Sequence, residues 1–381
     1  MNKILFWLFF SNFARTKKRR NTVMSENKTT KKIAVLAGDG IGPEVIEQAI
    51  KVLRAIEKVS GHTFIYNDAL VGAVAIDATG NPLPDATIDV CKNADAILFG
   101  AIGHPKYDND PNAPVRPEQG LLKLRKTMGL FSNIRPVKAY TSLLGISPLK
   151  RAFVKGTDFV IYRELTGGIY FGEKKRSADG LTASDLCSYS VFEIERIAHA
   201  AFKAATLRRN KLTLVDKANV LESSRLWREV VKRIAKDYPG VELDFLFVDN
   251  AAMQIIQNPR QFDVMLTENM FGDILSDEGS VITGSMGLLP SASVGEHAAM
   301  FEPIHGSYPQ ATGLNIANPM ATILTAAMML DYFGMYTEAN LIRETVDYLI
   351  KKKFVTKDLN AKNFYGTKEI GDMAAEYILS K

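Results

Sequence analysis

With 381 residues, 46% of them hydrophobic, the chain is long enough for about two domains of ordinary size and apolar enough to bury a core, which excludes a disordered or fibrous protein. The formal charge of +5 does not mark a nucleic-acid binder: Lys3, Arg15, Lys17, Lys18, Arg19 and Arg20 lie in an acid-free stretch, residues 1–23, and without those six cations the rest of the chain carries −1. Two distant cysteines, Cys91 and Cys187, and five scattered histidines show neither disulfide nor zinc spacing, which fits a reducing cytoplasm.

In chain order, Ile4 to Phe10 is an apolar run too short to span a bilayer, with no small-x-small cleavage pattern after it. Residues 1–24 are expected to be a poorly ordered extension. It reads as an organelle leader, a weak signal peptide or, the preferred reading, translation from an upstream start, since Met24 opens a polar lead-in to the first strand. No membrane span is expected anywhere in the chain.

Ile33 to Ala37 reads as a buried strand, and Pro43 to Ser60 as a helix with Val45, Ile46, Ala49, Ile50, Leu53 and Ile56 on one stripe. The Gly38-Asp-Gly-Ile-Gly-Pro-Glu44 between them fails the dinucleotide fingerprint, because the third glycine of G-x-G-x-x-G falls on Pro43. It is a tight strand-to-helix turn, and a Rossmann fold is rejected.

Ala94 to Gly100 is a second buried strand, and Gly103 to Pro117 a long Pro-rich loop. On the helix Glu118 to Met128, Leu121 and Leu122 lie one turn before Arg125. Arg135 follows in Asn-Ile-Arg-Pro136. The strand Asp158 to Tyr162 ends at Arg163, and the Gly-Gly turn after it can swing Tyr170 back beside that arginine. Gly172 to Ser190 is a candidate dimer arm. Helix Val191 to Arg208, strand Leu212 to Val215, helix Glu222 to Asp237, strand Leu243 to Val248 and strand Phe262 to Leu266 then define an α/β protein.

In the helix-like stretch Asn269 to Asp277, Asp273 and Asp277 project from one face a turn apart, a seat for a hard divalent cation. The same spacing is common on solvated helix faces, so the pair alone decides nothing. Gly279 to Gly295, rich in Gly and Ser, reads as a hinge or loop. Two amphipathic helices, Ala321 to Phe333 and Glu338 to Lys352, follow the His305-Gly-Ser loop.

Taken together, Gly38 to Glu44, Arg163-Glu-Leu-Thr-Gly-Gly-Ile-Tyr-Phe-Gly-Glu173, Asp216-Lys-Ala-Asn-Val-Leu221 and Phe271-Gly-Asp-Ile-Leu-Ser-Asp277 resemble the isocitrate/isopropylmalate dehydrogenase family of decarboxylating β-hydroxyacid dehydrogenases. The resemblance runs from about Lys32 to the C-terminus and is greatest to the isopropylmalate branch, which serves leucine biosynthesis. It implies a two-domain α/β fold, with residues 25–130 and 284–381 on the cofactor side and 131–283 carrying the dimer arm and metal site. It also implies a homodimer in which each subunit completes the other's active site.

On this resemblance Arg125, Arg135 and Arg163 hold the carboxylates of a malate-type substrate, as permanently charged forks can. Mg²⁺ or Mn²⁺ sits on Asp273, Asp277 and the partner's Asp249, which also meets the substrate. The partner's Lys217 takes the hydroxyl proton, Asn219 is a polar positioner, and Tyr170 protonates the enol carbon. NAD contacts fall on Glu118, His305, Gly306, Ser307, Gln310 and Asn318. Leu121, Leu122 and Val220 offer an apolar pocket for a branched alkyl group, where isocitrate-type relatives place a polar residue to meet a third carboxylate.

One departure bears on the cofactor: Gln310 stands where NAD-using relatives carry an acid that repels a 2′-phosphate. NAD is still expected to be preferred, by a narrower margin, with Lys357 the one cation placed to oppose it. The same chemistry on isocitrate, homoisocitrate or tartrate is the first alternative. A non-catalytic regulatory subunit is the second, against which the intact set of Tyr170, Lys217, Asp249, Asp273 and Asp277 counts.

Overall fold

The computed structural model describes residues 28–110 and 113–381; the expectations for residues 1–24 lie outside them. Strand β1 (Thr30–Gly38) is apolar through its centre and pairs in parallel with β2 (Thr63–Asp68) and β3 (Ala96–Ala101), whose six residues are all buried. Runs of this kind, without polar alternation, belong to strands covered on both faces. The remaining strands of the main sheet are β4 (Ser132–Lys138) and β5 (Asp158–Glu164) and, beyond the small exposed hairpin of β6 (Lys174–Arg176) and β7 (Ala183–Asp185), β8 (Lys211–Asp216), β9 (Glu242–Phe247), β10 (Val264–Thr267), β11 (Pro290–Val294) and β12 (Ala299–Pro303).

The ten-stranded sheet has the order β2-β1-β3-β12-β11-β4-β5-β10-β8-β9. Antiparallel ladders join β12 to β11, β11 to β4 and β4 to β5, and the other ladders are parallel. This mixed order is not the Rossmann order, as the failed glycine pattern indicated. Residues before 130 and after 284 supply β1 to β3, β11 and β12, while the segment between supplies β4, β5 and β8 to β10. The seam is the short ladder pairing Ala292 with Ile134, Ser293 with Asn133 and Val294 with Ser132.

The helices that cover the sheet are α1 (Gly42–Ser60), α2 (Ala73–Thr79), α3 (Asp85–Lys92), α4 (Pro117–Thr127), α5 (Val191–Thr206), α6 (Glu222–Ala235), α7 (Val248–Gln257), α8 (Asn269–Thr283), α9 (Met320–Tyr332), α10 (Tyr336–Lys352) and α11 (Thr367–Leu379). Pro43 sits in the first turn of α1, where its missing N–H costs nothing, and Gly61 ends the helix in the left-handed region. The apolar faces of α1, α5 and α10 enter one large core that crosses the seam.

Two expectations need correction. Gly279 to Gly295 is not a loop: α8 continues to Thr283, Gly284 caps it at φ 87°, and β11 is a fully buried central strand. Its Ser291, Ala292 and Ser293 are small because the strand is hemmed in on both faces, and small residues read as loop by composition. Helix α9 is not amphipathic either; every residue from Met320 to Asp331 is buried, which makes it a core helix. No helix of the described residues is long and apolar enough to cross a membrane.

Candidate active site

The glycine turn is a scaffold. Gly38 and Gly40 have φ of 71° and 59°, and a Cβ on either would overlap the carbonyl of Ala101 or Ser307. The buried Asp39 carboxylate accepts from the N–H groups of Ala73, Val74 and Gly103, while Ile41 N–H donates to Ser307 O at 2.8 Å. The loop that starts at His305 is thereby held against the start of α1.

Helix α8 carries the candidate carboxylates. Its residues 269, 273 and 277 recur every four positions, so Asn269, Asp273 and Asp277 share one face. Arg163, at the end of β5, donates from Nη1 to Asp273, and Arg135, on β4, lies 3.6 Å from both Asp273 and Asp277. The one-turn segment after β5 brings Tyr170 back as expected: its hydroxyl donates to Asp273 Oδ2 at 2.9 Å and its ring lies 5.7 Å from the Arg163 guanidinium.

Burial alone would raise the Asp273 carboxyl, but the charges of Arg163 and Arg135 and the Tyr170 hydrogen bond hold it below its ordinary value. Asp277 is pushed up, first by burial and then by the Asp273 charge, with Arg135 opposing. Burial and the neighbouring Asp273 also raise the Tyr170 phenol, which keeps it a proton donor at neutral pH. Burial and Arg135 lower the Arg163 guanidinium to about 10, still charged at any working pH.

Arg125, also buried, donates to Glu302 Oε1 at 3.0 Å and lies within the field of the other two arginines. A polar chain ties them together across the seam. Glu302 accepts from Ser293 Oγ, Ser293 Oγ accepts from Asn133 Nδ2 at 3.0 Å, and Asn133 Oδ1 accepts from Arg135 Nε at 2.7 Å. Leu121 is half-buried against the cluster of Leu124, Leu130 and Phe99, and Leu122 is half-buried too. Val220 is 61% exposed and stands outside that cluster, so within one chain it does not join the leucines.

Lys217 and Asp249 meet each other instead of α8. The parallel β8/β9 register, with Asp216 opposite Phe247, sets the ends of both strands side by side, and Lys217 Nζ donates to Asp249 Oδ1 at 2.5 Å. Lys217 lowers the Asp249 carboxyl through that bond. Asn219 is exposed on the same turn. Among the described residues no three His, Cys, Asp or Glu gather to hold a metal, so Asp249 does not join Asp273 and Asp277 within one chain.

Among the expected cofactor contacts, His305 Nε2 is buried with no hydrogen-bond partner, an orphaned polar atom of the kind a bound ligand satisfies, and burial depresses the ring's basicity. Gly306 is open, Gln310 is exposed, Ser307 is buried, and Glu118 in the first turn of α4 faces Gly103. Asn318 has a structural task already: Oδ1 accepts from Met320 N–H at the start of α9, and Nδ2 donates to Asp358. Lys357 lies over the Phe364 ring. For a hard cation the oxygen-only pair of Asp273 and Asp277 fits the donor preference of Mg²⁺ or Mn²⁺, with substrate oxygens completing the shell.

Asn269, Asn133, Glu302 and Ser276, whose hydroxyl accepts from Arg135 Nη1 at 2.6 Å, are the supporting residues that motif reasoning passed over. Asn269 alone left a signal, its four-residue spacing from Asp273.

A mixed ten-stranded sheet with a buried arginine cluster facing paired carboxylates and a phenol defines an α/β enzyme for anionic, carboxylate-bearing substrates. The chain belongs to the isocitrate/isopropylmalate dehydrogenase family, whose profile matches residues 32–374. The 3-isopropylmalate dehydrogenase of Bacteroides fragilis is 56% identical over 349 residues, 91% of this chain and 98% of that protein. That of Heyndrickxia coagulans is 54% identical over 336 residues, 87% and 92%. Among solved structures, isocitrate dehydrogenase from Methylococcus capsulatus superposes with a TM-score of 0.83 at 34% identity, covering 92% of this chain and 99% of that one. A β-decarboxylating dehydrogenase from Thermococcus kodakarensis gives 0.76 at 33%, covering 92% and 96%.

Proposed function

We propose that the protein oxidatively decarboxylates (2R,3S)-3-isopropylmalate to 4-methyl-2-oxopentanoate with NAD and Mg²⁺ or Mn²⁺, in leucine biosynthesis, as a homodimer with shared active sites. The observation that carries the chemistry is the α8 face, where Asp273 and Asp277 meet Arg135, Arg163 and Tyr170. The names of relatives more than half identical, and the two leucines one turn before Arg125, support the branched substrate.

In this reading Arg125, Arg135 and Arg163 fix the two substrate carboxylates, so that the 2-hydroxyl faces α8. When bound, NAD accepts the hydride and the divalent cation on Asp273, Asp277 and the partner's Asp249 supplies Lewis acidity toward the 2-oxygen. The partner's Lys217 accepts the hydroxyl proton. Tyr170 then delivers its proton to the carbon from which CO₂ has left, and Asp273, its hydrogen-bond acceptor, orients that hydroxyl. The partner's Val220 meets Leu121 and Leu122 around the alkyl group. Residues 25–130 with 284–381 and residues 131–283 act as the two domains flanking the cleft, and Glu118, His305, Gly306, Ser307, Gln310 and Asn318 line the NAD side.

The test is a panel of malate derivatives with NAD and Mg²⁺. The expected kcat/KM for 3-isopropylmalate exceeds that for isocitrate, homoisocitrate and tartrate by at least about 100-fold, the scale of refusing an unpaired carboxylate in an apolar pocket. Isocitrate turnover above that of isopropylmalate would overturn the assignment.

A further inference from the structure

The two arginines that contact α8 are gripped on their Nε side by a neutral amide: Arg135 by Asn133, and Arg163 by Asn269. The second grip is the more consequential because it has two ends. Asn269 Oδ1 accepts from both Nε and Nη2 of Arg163, at 3.0 and 2.8 Å, while its Nδ2 donates to the carbonyl of Gly167 at 3.1 Å. Its backbone N–H is taken by the Tyr189 hydroxyl at 2.9 Å, and the residue is almost wholly buried. The amide cannot be flipped, because a guanidinium offers only donors and a carbonyl only an acceptor. One rigid side chain therefore spans the arginine and the Gly167-Gly168 turn that carries Tyr170.

We propose that Asn269 is a positioning residue that sets the register between the Arg163 fork and the Tyr170 hydroxyl and leaves the arginine's charge for a substrate carboxylate. Three of the five guanidinium N–H groups are engaged, two by Asn269 and one by Asp273, and the other two remain to meet a ligand. A carboxylate in Asn269's place would accept the same two bonds yet set a second negative charge, beside that of Asp273, on the cation before substrate arrives. The inference rests on the functional reading above for the roles of Arg163 and Tyr170.

The experiment compares Asn269→Asp and Asn269→Ala in the full-length enzyme. The Asp variant, which keeps shape and acceptor but loses the donor to the Gly167 carbonyl, is expected to raise KM for 3-isopropylmalate at least about tenfold, with a loss of kcat, while KM for NAD stays within about twofold. The Ala variant is expected to lose kcat about 100-fold, the scale of an ångström-sized misplacement. That loss should shrink to under about threefold in a Tyr170→Phe background, because both changes disable one unit. Circular dichroism checks folding, and if the Ala variant does not fold, the isosteric Asp variant decides. A folded Asp variant with unchanged KM, or an Ala loss that adds in full to that of Tyr170→Phe, would overturn the proposal. Calorimetric titration of D-malate, which shares the 2R configuration, and of 3-isopropylmalate into enzyme with Mg²⁺ and no NAD provides an arm independent of turnover. Weakening by about tenfold in Asn269→Asp supports the inference even if the wild type fails to turn over isopropylmalate, in which case only the functional reading falls.

Discussion

Asp273 is the residue on which most of the site converges, taking hydrogen bonds from Arg163 and Tyr170 and a close approach from Arg135. Asp273→Asn keeps the volume and removes the charge, so kcat should fall by more than about 100-fold, as when a preorganised charge-stabilising contact is lost, with the fold retained by circular dichroism. The same residue makes a pH prediction. Its folded pKa is depressed, so its contribution to stability is complete above the ordinary value of 3.8 and is lost as pH falls through the lowered folded value. Melting temperatures measured without metal should drop less steeply on the acid side for Asp273→Asn than for the wild type; an unchanged slope would remove the electrostatic account. At Gln310, exposed on its loop, the change to Asp should widen the kcat/KM preference for NAD over NADP by restoring a charge that repels a 2′-phosphate. Asp273 was legible in the sequence because a carboxylate at motif spacing demands a role. Asn133 was not, and Asn269 left only its four-residue spacing from Asp273: what an amide holds is told when a structure shows both of its ends occupied.

Among the elements, those with a clear period or a hard punctuation mark were readable, as with α1 between Pro43 and Gly61. Strand β11 was not, because its serines and alanine are small for reasons of packing, and α9 was misjudged because burial on every side removes the polar face that defines a stripe. The β6/β7 hairpin was foreseen as an arm and forms a two-stranded exposed ribbon, with Leu181 85% exposed at its tip and Phe192 62% exposed just beyond it. An isolated two-stranded ribbon is marginal in water, so this one needs a surface to lie on. Leu181→Asp combined with Phe192→Asp should shift the proposed dimer toward monomer in sedimentation velocity, with activity falling in step. A double variant that stays dimeric and active would take the arm out of the interface.

At the scale of the whole molecule, the proposed reading has the chain present two separate parts of a shared site. Asp273, Asp277, Tyr170 and the arginines form one half, and Lys217 with Asp249, paired to each other on a different strand end, form the other. The family resemblance implied both halves and their assignment to different subunits, whereas sequence spacing by itself is silent on which residues of a dimer meet. The direct measurement is subunit complementation. Lys217→Ala and Tyr170→Phe, each strongly impaired alone, are mixed in equal amounts under conditions where exchange is verified by mass spectrometry of tagged subunits. Half of the dimers are then mixed, and each carries one intact site, so recovery of about a quarter of wild-type activity is predicted for a symmetric shared-site dimer. No recovery despite proven exchange would contradict the account, because it would place Lys217 and Tyr170 in the active site of one and the same chain.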